Sequence, residues 1–240
     1  MKTVMFRRRA NKGSLLVRRA IAAALALGAA AFAFASDGRV EYVEGDVWIQ
    51  RDGEEFAADF GDELDSTDVI MTGPDGTAIV SVGERAEIKL RENTSVVVSQ
   101  VQGSGEVELR SGSVFARVAR TAAAVTGTRP VFSVRTRTTV AGVRGTQFFV
   151  AFGEVVEEDP DLWLCVNEGT VEVVIPSTGQ TTIVEEGEGI SILGGTRATD
   201  PRFYSWTTDL NWNFDPEAGD VTDTTDLSAA YSDLLDQDYD

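Results

Sequence analysis

From Gly38 to Leu193 the chain alternates apolar and polar residues in short runs, each closed by a turn signal. The period is two in Thr77–Val82, Ala86–Leu90, Glu106–Arg110 and Thr170–Ile175. Between such runs stand Gly73-Pro-Asp-Gly76, Gly103-Ser-Gly105 and Pro176-Ser-Thr-Gly179. Side chains on a strand point to opposite faces in turn, so this pattern predicts half-buried strands rather than helices. Many short strands with frequent turns predict an all-β sandwich or barrel, with one face of each sheet in the core and the other in water. Before residue 200 no stretch carries the apolar spacing of an amphipathic helix, since the Ala122–Ala124 cluster runs into Gly127 and Pro130.

The first 35 residues read as an address. Seven Lys or Arg and no acid accompany an apolar run from Ile21 to Ala35, which ends Ala33-Phe34-Ala35 before Ser36. A basic region, a short apolar core and a small-x-small end predict a signal peptide over 1–35, with an uncleaved anchor as the alternative. Export to the periplasm, or beyond the cell, is the expected localisation. Without those seven bases, 14 basic residues face 39 acids, a formal charge of −25. Such a chain repels phosphate backbones and anionic lipid, so neither nucleic acid nor a membrane surface is an expected partner. The single cysteine, Cys165, lies among apolar neighbours in Leu162–Val166 and is expected to be a buried thiol, because it has no internal partner for a disulfide.

Residue types also bound the chemistry. The chain has no histidine, which removes Ser-His-Asp and Cys-His nucleophile pairs and His-ligated zinc. Beyond residue 35 the one lysine is Lys89, in an alternating strand where it is expected to face solvent. No glycine loop is followed by Lys-Ser/Thr at the start of a helix. The expectation is a protein with no catalytic residues, no cofactor and no metal.

The stretch Val131–Phe152 has a pattern of its own. An apolar strand runs into Gly142 and Gly145, with Arg144 between them, and Thr146-Gln147-Phe148-Phe149-Val150 is again strand-like. Glycines at this spacing predict a strand–kink–strand corner, where positive φ or close backbone approach is needed. The core of the stretch, Thr138 to Phe148, resembles the signature of the FecR-domain family of exported bacterial proteins. Other segments follow in that family's order over residues 38–193: Gly45-Asp-Val47, Phe60–Leu64, Asp68–Gly73, Asn93–Val98, Leu109–Val114 and Val166–Val173. The resemblance implies a jelly-roll-like sandwich of many short, mostly antiparallel strands in the periplasm. In the family's best-known members that domain receives a signal from an outer-membrane transporter and passes it to a cytoplasmic sigma factor. The sequence here shows no cytoplasmic domain for holding a sigma factor, so the expected role is interaction or signal reception in the envelope, with a FecR-like domain over 36–204.

Two charge features suggest where a partner binds. Between Arg110 and Arg144 stand seven arginines and no acid. Alternation puts Arg135 and Arg137 on the face opposite Phe132 and Val134, and Arg117 follows Phe115 by two residues. With Arg144, these form a candidate arginine ladder for an unidentified envelope protein, because guanidinium groups grip carboxylates bidentately. The competing expectation is that they pair with acids on adjacent strands. From Ser205 onward stand ten acids and no base. This segment, 205–240, reads as an acidic tail, partly disordered or docked through a short helix at Asp226–Leu235, with Trp206, Trp212 and Phe214 as anchors and the arginines as its seat. The alternative function, binding of carbohydrate or another envelope polymer, needs an exposed aromatic platform, for which Trp48 and Trp163 are the candidates in the β-region.

Overall fold

The computed structural model describes residues 37–101, 104–120, 130–153 and 162–227. The side chains at 100, 101, 104, 205 and 206 fall outside that description, as do the signal-like segment, Arg129 and all but the first two residues of the helix expected at Asp226–Leu235.

The chain folds as all-β, and it alternates between two sheets. Sheet A holds β1 (Gly38–Glu44), β4 (Glu63–Leu64), β6 (Thr77–Val82), β7 (Ala86–Leu90), β12 (Gln147–Phe152), β13 (Leu162–Glu168), β16 (Glu188–Leu193), β17 (Arg197–Ala198) and β18 (Arg202–Phe203). Sheet B holds β2 (Val47–Arg51), β3 (Glu54–Ala57), β5 (Val69–Thr72), β8 (Ser95–Val101), β10 (Phe132–Arg135), β11 (Val140–Val143), β14 (Thr170–Ile175) and β15 (Gln180–Glu185). The fifteen-residue strand β9 (Ser104–Val118) belongs to both. Its first half pairs with β8 and, in parallel, with β10, while its second half pairs with β7 and β12. Sheet A therefore runs β4-β1-β6-β7-β9-β12-β13-β16, and sheet B runs β3-β2-β5-β8-β9-β10-β11-β14-β15.

A strand can change sheets only by bending, and β9 bends at Gly112, where φ is +87°. A β-carbon there would come within 2.7 Å of the Asn93 carbonyl and closer still to Thr94. The Thr94 hydroxyl receives the Ser113 N–H at 3.0 Å and donates to the Ser113 carbonyl at 3.1 Å, so the backbone groups freed by the bend keep partners.

One core lies between the sheets. Val40, Val80, Ile88, Val114, Ala116, Val150 and Leu164 of sheet A meet Ile49, Ile70, Val98, Val107, Phe132, Val134 and Val173 of sheet B. These are alternate residues of their strands, as period two requires. A second apolar cluster lies on the outer side of sheet A: Ile79, Phe115, Phe149, Ala151, Trp163 and Cys165. Here the expectation of one wet face per sheet fails. The chain beyond β18 makes a 3-10 turn at Ser205–Thr208 and then crosses this face as an irregular strap to Leu227, seating Tyr204, Leu210, Phe214, Val221 and Leu227 against it. Among the described residues no helix is long and apolar enough to cross a membrane.

Candidate functional site

The signature stretch is a crossing point between sheets. β10 and β11 form a hairpin in sheet B, with Arg135 opposite Val140 beside the turn and Phe132 opposite Val143 at the other end. The chain leaves sheet B after Val143 and enters sheet A at Gln147, so Arg144-Gly145-Thr146 makes the corner. Gly145 has φ +85°, and Arg120 packs against it where a β-carbon would stand. Gly142 keeps an ordinary φ and is small for another reason: a β-carbon there would lie 2.8 Å from Pro130. A neighbouring crossing, from β13 to β14, turns at Gly169 with φ +88°, and a β-carbon on it would lie 2.9 Å from the Gly145 carbonyl. Two chain crossings thus touch backbone to backbone, a contact that side chains would prevent. The buried Thr146 ties them together, donating to the Thr170 carbonyl at 3.0 Å, while its own carbonyl receives the Val118 N–H at 2.9 Å.

Around this corner lies a groove of about 360 Å³ bounded by Arg120, Pro130, Arg144, Gly145, Glu172 and Ile183. A second hollow, of about 270 Å³, continues past Arg120 and Gly145 to Arg117 and Glu168. Arg117, Arg120 and Arg144 therefore line one continuous surface. Arg120 Nε donates to the Gly145 carbonyl at 3.2 Å, and its guanidinium lies 3.3 Å from Glu168. Arg117 holds Glu87 on β7 with two donors, at 2.8 and 2.5 Å, and its guanidinium stands 4.7 Å above the Phe214 ring of the strap. Arg144 is exposed.

The four-residue ladder does not form as one row. Arg135 lies at the far end of the β10–β11 hairpin, about 13 Å from the corner at the usual strand rise, and pairs with Glu106 of β9 at 3.4 Å. Arg137 is the exposed residue of the hairpin turn, between the buried Thr136 and the half-buried Thr138. Arg135 points outward from sheet B and Arg117 outward from sheet A, so the sandwich separates them. The residue that completes the cluster is Arg120, one of the seven arginines of the Arg110–Arg144 window but not one of the expected ladder; it lies just beyond the end of β9. Of the two tryptophans, Trp48 is half-buried on the outer face of sheet B, packed over Gly73. Trp163 is completely buried beneath the strap, in edge contact with Phe149 at 5.2 Å, and offers no platform.

A second polar cluster was not foreseen. Lys89, expected in water, is 1% exposed on the outer face of sheet A. Its Nζ donates to the carbonyls of Asn211 at 2.5 Å and Asn213 at 2.9 Å, and stands 4.4 Å from the Phe115 ring centre and 5.4 Å from that of Phe214. Burial pulls its pKa down to about 8, with Asp223 pulling the other way. Just beyond β7, Arg91 donates to the Asp223 and Thr225 carbonyls at 3.3 and 3.0 Å, and its Nε lies 3.2 Å from Asp223 Oδ1. Both side chains of that pair are nearly inaccessible, at 4% and 1%. The signal in the sequence was the unbroken apolar runs Phe148–Phe152 and Leu162–Val166, which predict strands covered on both faces. Once sheet A is covered, an outward-pointing lysine on β7 is covered too.

Residues 68–172, from β5 into β14, match the model of the FecR protein family. That segment is FecR-like. The matched segment contains the bend at Gly112, both corner glycines and Gly169. No curated protein matches the chain significantly. Two crystal structures of a candidate anti-sigma factor from Parabacteroides distasonis ATCC 8503 are similar to it, each at 20% identity and a TM-score of 0.48. Each match covers 59% of this chain and 62% of the other, so the chain spans under two thirds of that protein's length.

Proposed function

We propose that this FecR-domain protein is an exported, non-catalytic interaction or signal-receiving module of the cell envelope, and that an envelope protein docks at the signature corner. The observation that carries the reading is the grouping of Arg117, Arg120 and Arg144 around Gly145, inside the segment that matches the family. Two of these arginines hold carboxylates across exposed surface, Glu87 and Glu168. Such pairs contribute only about 0–1 kcal/mol, so a partner's carboxylate exchanges with them at little cost. The groove beside them has apolar walls in Pro130, Val143 and Ile183, with Ile183 46% exposed, which gives an incoming segment something to bury. Export is supported by the basic and apolar first 35 residues. The absence of histidine from the sequence, which removes the commonest general base, supports a role in binding.

The test is site-specific photo-crosslinking in cells, with the crosslinking residue placed at Arg144 and, in a separate strain, at Arg39 on β1. A reproducible protein adduct from position 144 and none from position 39 is the expected result. Arg120→Ala combined with Arg144→Ala should weaken the recovered complex by about tenfold, and added salt should do the same, as expected for charge-steered docking. Adducts to glycan fragments alone would reverse the reading in favour of polymer binding.

A further inference from the structure

We propose that the outer face of sheet A is a second recognition surface, which binds an extended acidic peptide and is occupied in the resting molecule by the protein's own strap. The strap, residues 204–227, has the features of a ligand more than those of a layer. It adds no strand to sheet A: among the described pairings none joins it to β6, β7, β9, β12 or β13. It is held instead by side chains that read its main chain. Lys89 grips the Asn211 and Asn213 carbonyls, Arg91 grips those of Asp223 and Thr225, and Gln147 donates to that of Trp212 at 3.2 Å. Between the grips the apolar residues Leu210, Trp212 and Phe214 stand two apart, as in an extended peptide, and Trp212 meets Phe115 edge to face at 5.1 Å.

The charges point the same way. Two buried cations, Lys89 and Arg91, stand among the apolar and aromatic side chains of this face, in addition to the polar Gln147 and the more exposed Arg117 and Glu87. If that face served only as core, apolar residues of similar size would suit it at least as well, because a buried ion pair rarely outperforms them. Lys89 and Arg91 have a use if the face is sometimes vacant. They would then be hydrated and keep an aromatic surface soluble, and they would select an incoming segment that brings carbonyls and a carboxylate. Asp223 supplies that carboxylate in the strap, accepting also from the Asn211 N–H at 2.5 Å.

The strap also carries its own scaffold. Asn211 Nδ2 donates to the Asp220 and Thr222 carbonyls at 2.9 Å each, and Asn213 Nδ2 to those of Asp215, Gly219 and Asp220 at 3.0–3.1 Å. These bonds stay within the strap, so they need not break when it lifts, and less ordering is required when it returns.

The molecule contains its own reporter. Cys165, the single cysteine, lies on the covered face between Phe149 and the strap cluster, fully buried. Burial pushes its thiol far above the ordinary range, so it reacts only when uncovered. The experiment is thiol labelling of the full chain with an aromatic disulfide reagent, in native buffer and across low urea. Labelling is expected to proceed through an opening that exposes less surface than global unfolding, seen as a shallower urea dependence than the equilibrium transition. Asp223→Ala should speed labelling by about 100-fold or more, the usual scale for stranding one partner of a buried ion pair, while the far-ultraviolet spectrum of the β-sandwich is unchanged. Trp212→Ala provides a second opened variant that leaves no buried charge unpaired.

A dye-labelled synthetic peptide of residues 204–227 should bind the opened variants and slow their labelling, whereas a scrambled peptide of the same composition should not. The proposal is overturned if Cys165 labels only with global unfolding. It is equally overturned if the opened variants ignore the peptide.

Discussion

At the scale of single residues, the environment of Lys89 makes a definite prediction about pH. Its amine titrates near 8 in the folded protein, against an ordinary value of 10.5. Below about pH 8 the lysine is charged in both folded and unfolded chains, and folding bears the full cost of burying that charge. Between about 8 and 10.5 the unfolded chain binds more protons than the native one, so stability contributed at this position rises with pH. Tyr42 acts in the opposite sense and in a higher window. Its hydroxyl donates to Glu44 at 2.8 Å, and that bond, with burial, raises its pKa to about 12, so stability falls with pH between 10 and 12. Comparing wild type with Lys89→Met in urea melts at pH 7 and pH 10 isolates the lysine, because Tyr42 is common to both. The stability of wild type relative to the variant should increase over that range, and a flat or falling difference would show that the amine is not buried. Alternation alone placed Lys89 in water, since a period-two pattern reports which face a residue is on and not what covers that face.

At the scale of elements, glycine positions make the sandwich possible. Gly112 and Gly145 both adopt positive φ and both have atoms where a β-carbon would go: Thr94 and Asn93 for the first, Arg120 for the second. The obstacles differ in kind. At Gly112 they include backbone atoms of the β7–β8 turn, which cannot move aside, whereas at Gly145 the closest atom is on the Arg120 side chain. Gly112→Ala is therefore expected to destabilise by about 3 kcal/mol or more, from strain and overpacking together. Gly145→Ala should cost about 1–3 kcal/mol, and Gly142→Ala less, because its φ is ordinary and only Pro130 must yield. Denaturant midpoints for the three variants check the order, which a larger loss at Gly142 than at Gly112 would contradict. Strand positions themselves were legible. The runs predicted at Thr77–Val82, Ala86–Leu90 and Thr170–Ile175 are β6, β7 and β14 residue for residue, and Glu106–Arg110 lies inside β9. The length of β9 was not legible, because Gly112 breaks the alternation and reads as a turn when it is a bend within one strand.

For the molecule as a whole, electrostatics set the response to salt. Without the basic first 35 residues the chain carries a formal charge of −25, and ten of its acids lie beyond residue 204. Self-repulsion at that charge destabilises the compact state and is screened over a Debye length of about 8–10 Å at moderate ionic strength. The Tm of a chain beginning at Ser36 should therefore rise by several degrees between 10 and 200 mM NaCl. The buried Arg91–Asp223 pair lies beyond the reach of screening, so the same rise is expected in Asp223→Ala. A fall in Tm with salt would mean that exposed pairs such as Arg117–Glu87 outweigh the net repulsion.

The sequence by itself determined the local facts: strands from period two, turns from glycine and proline, a FecR-like order of segments, a buried cysteine and an acidic C-terminal segment. These follow from short-range rules, in which each residue's own chemistry and its near neighbours suffice. Only the tertiary structure decided which strands share a sheet, and hence that Arg117, Arg120 and Arg144 meet at one corner while Arg135 and Arg137 lie elsewhere. It alone decided that an acidic segment becomes a strap with Lys89, Arg91 and Trp163 beneath it. The physical reason is that burial depends on the whole fold: a strand's pattern states which side chains share a face, but the fate of that face rests with whatever distant part of the chain comes to lie upon it.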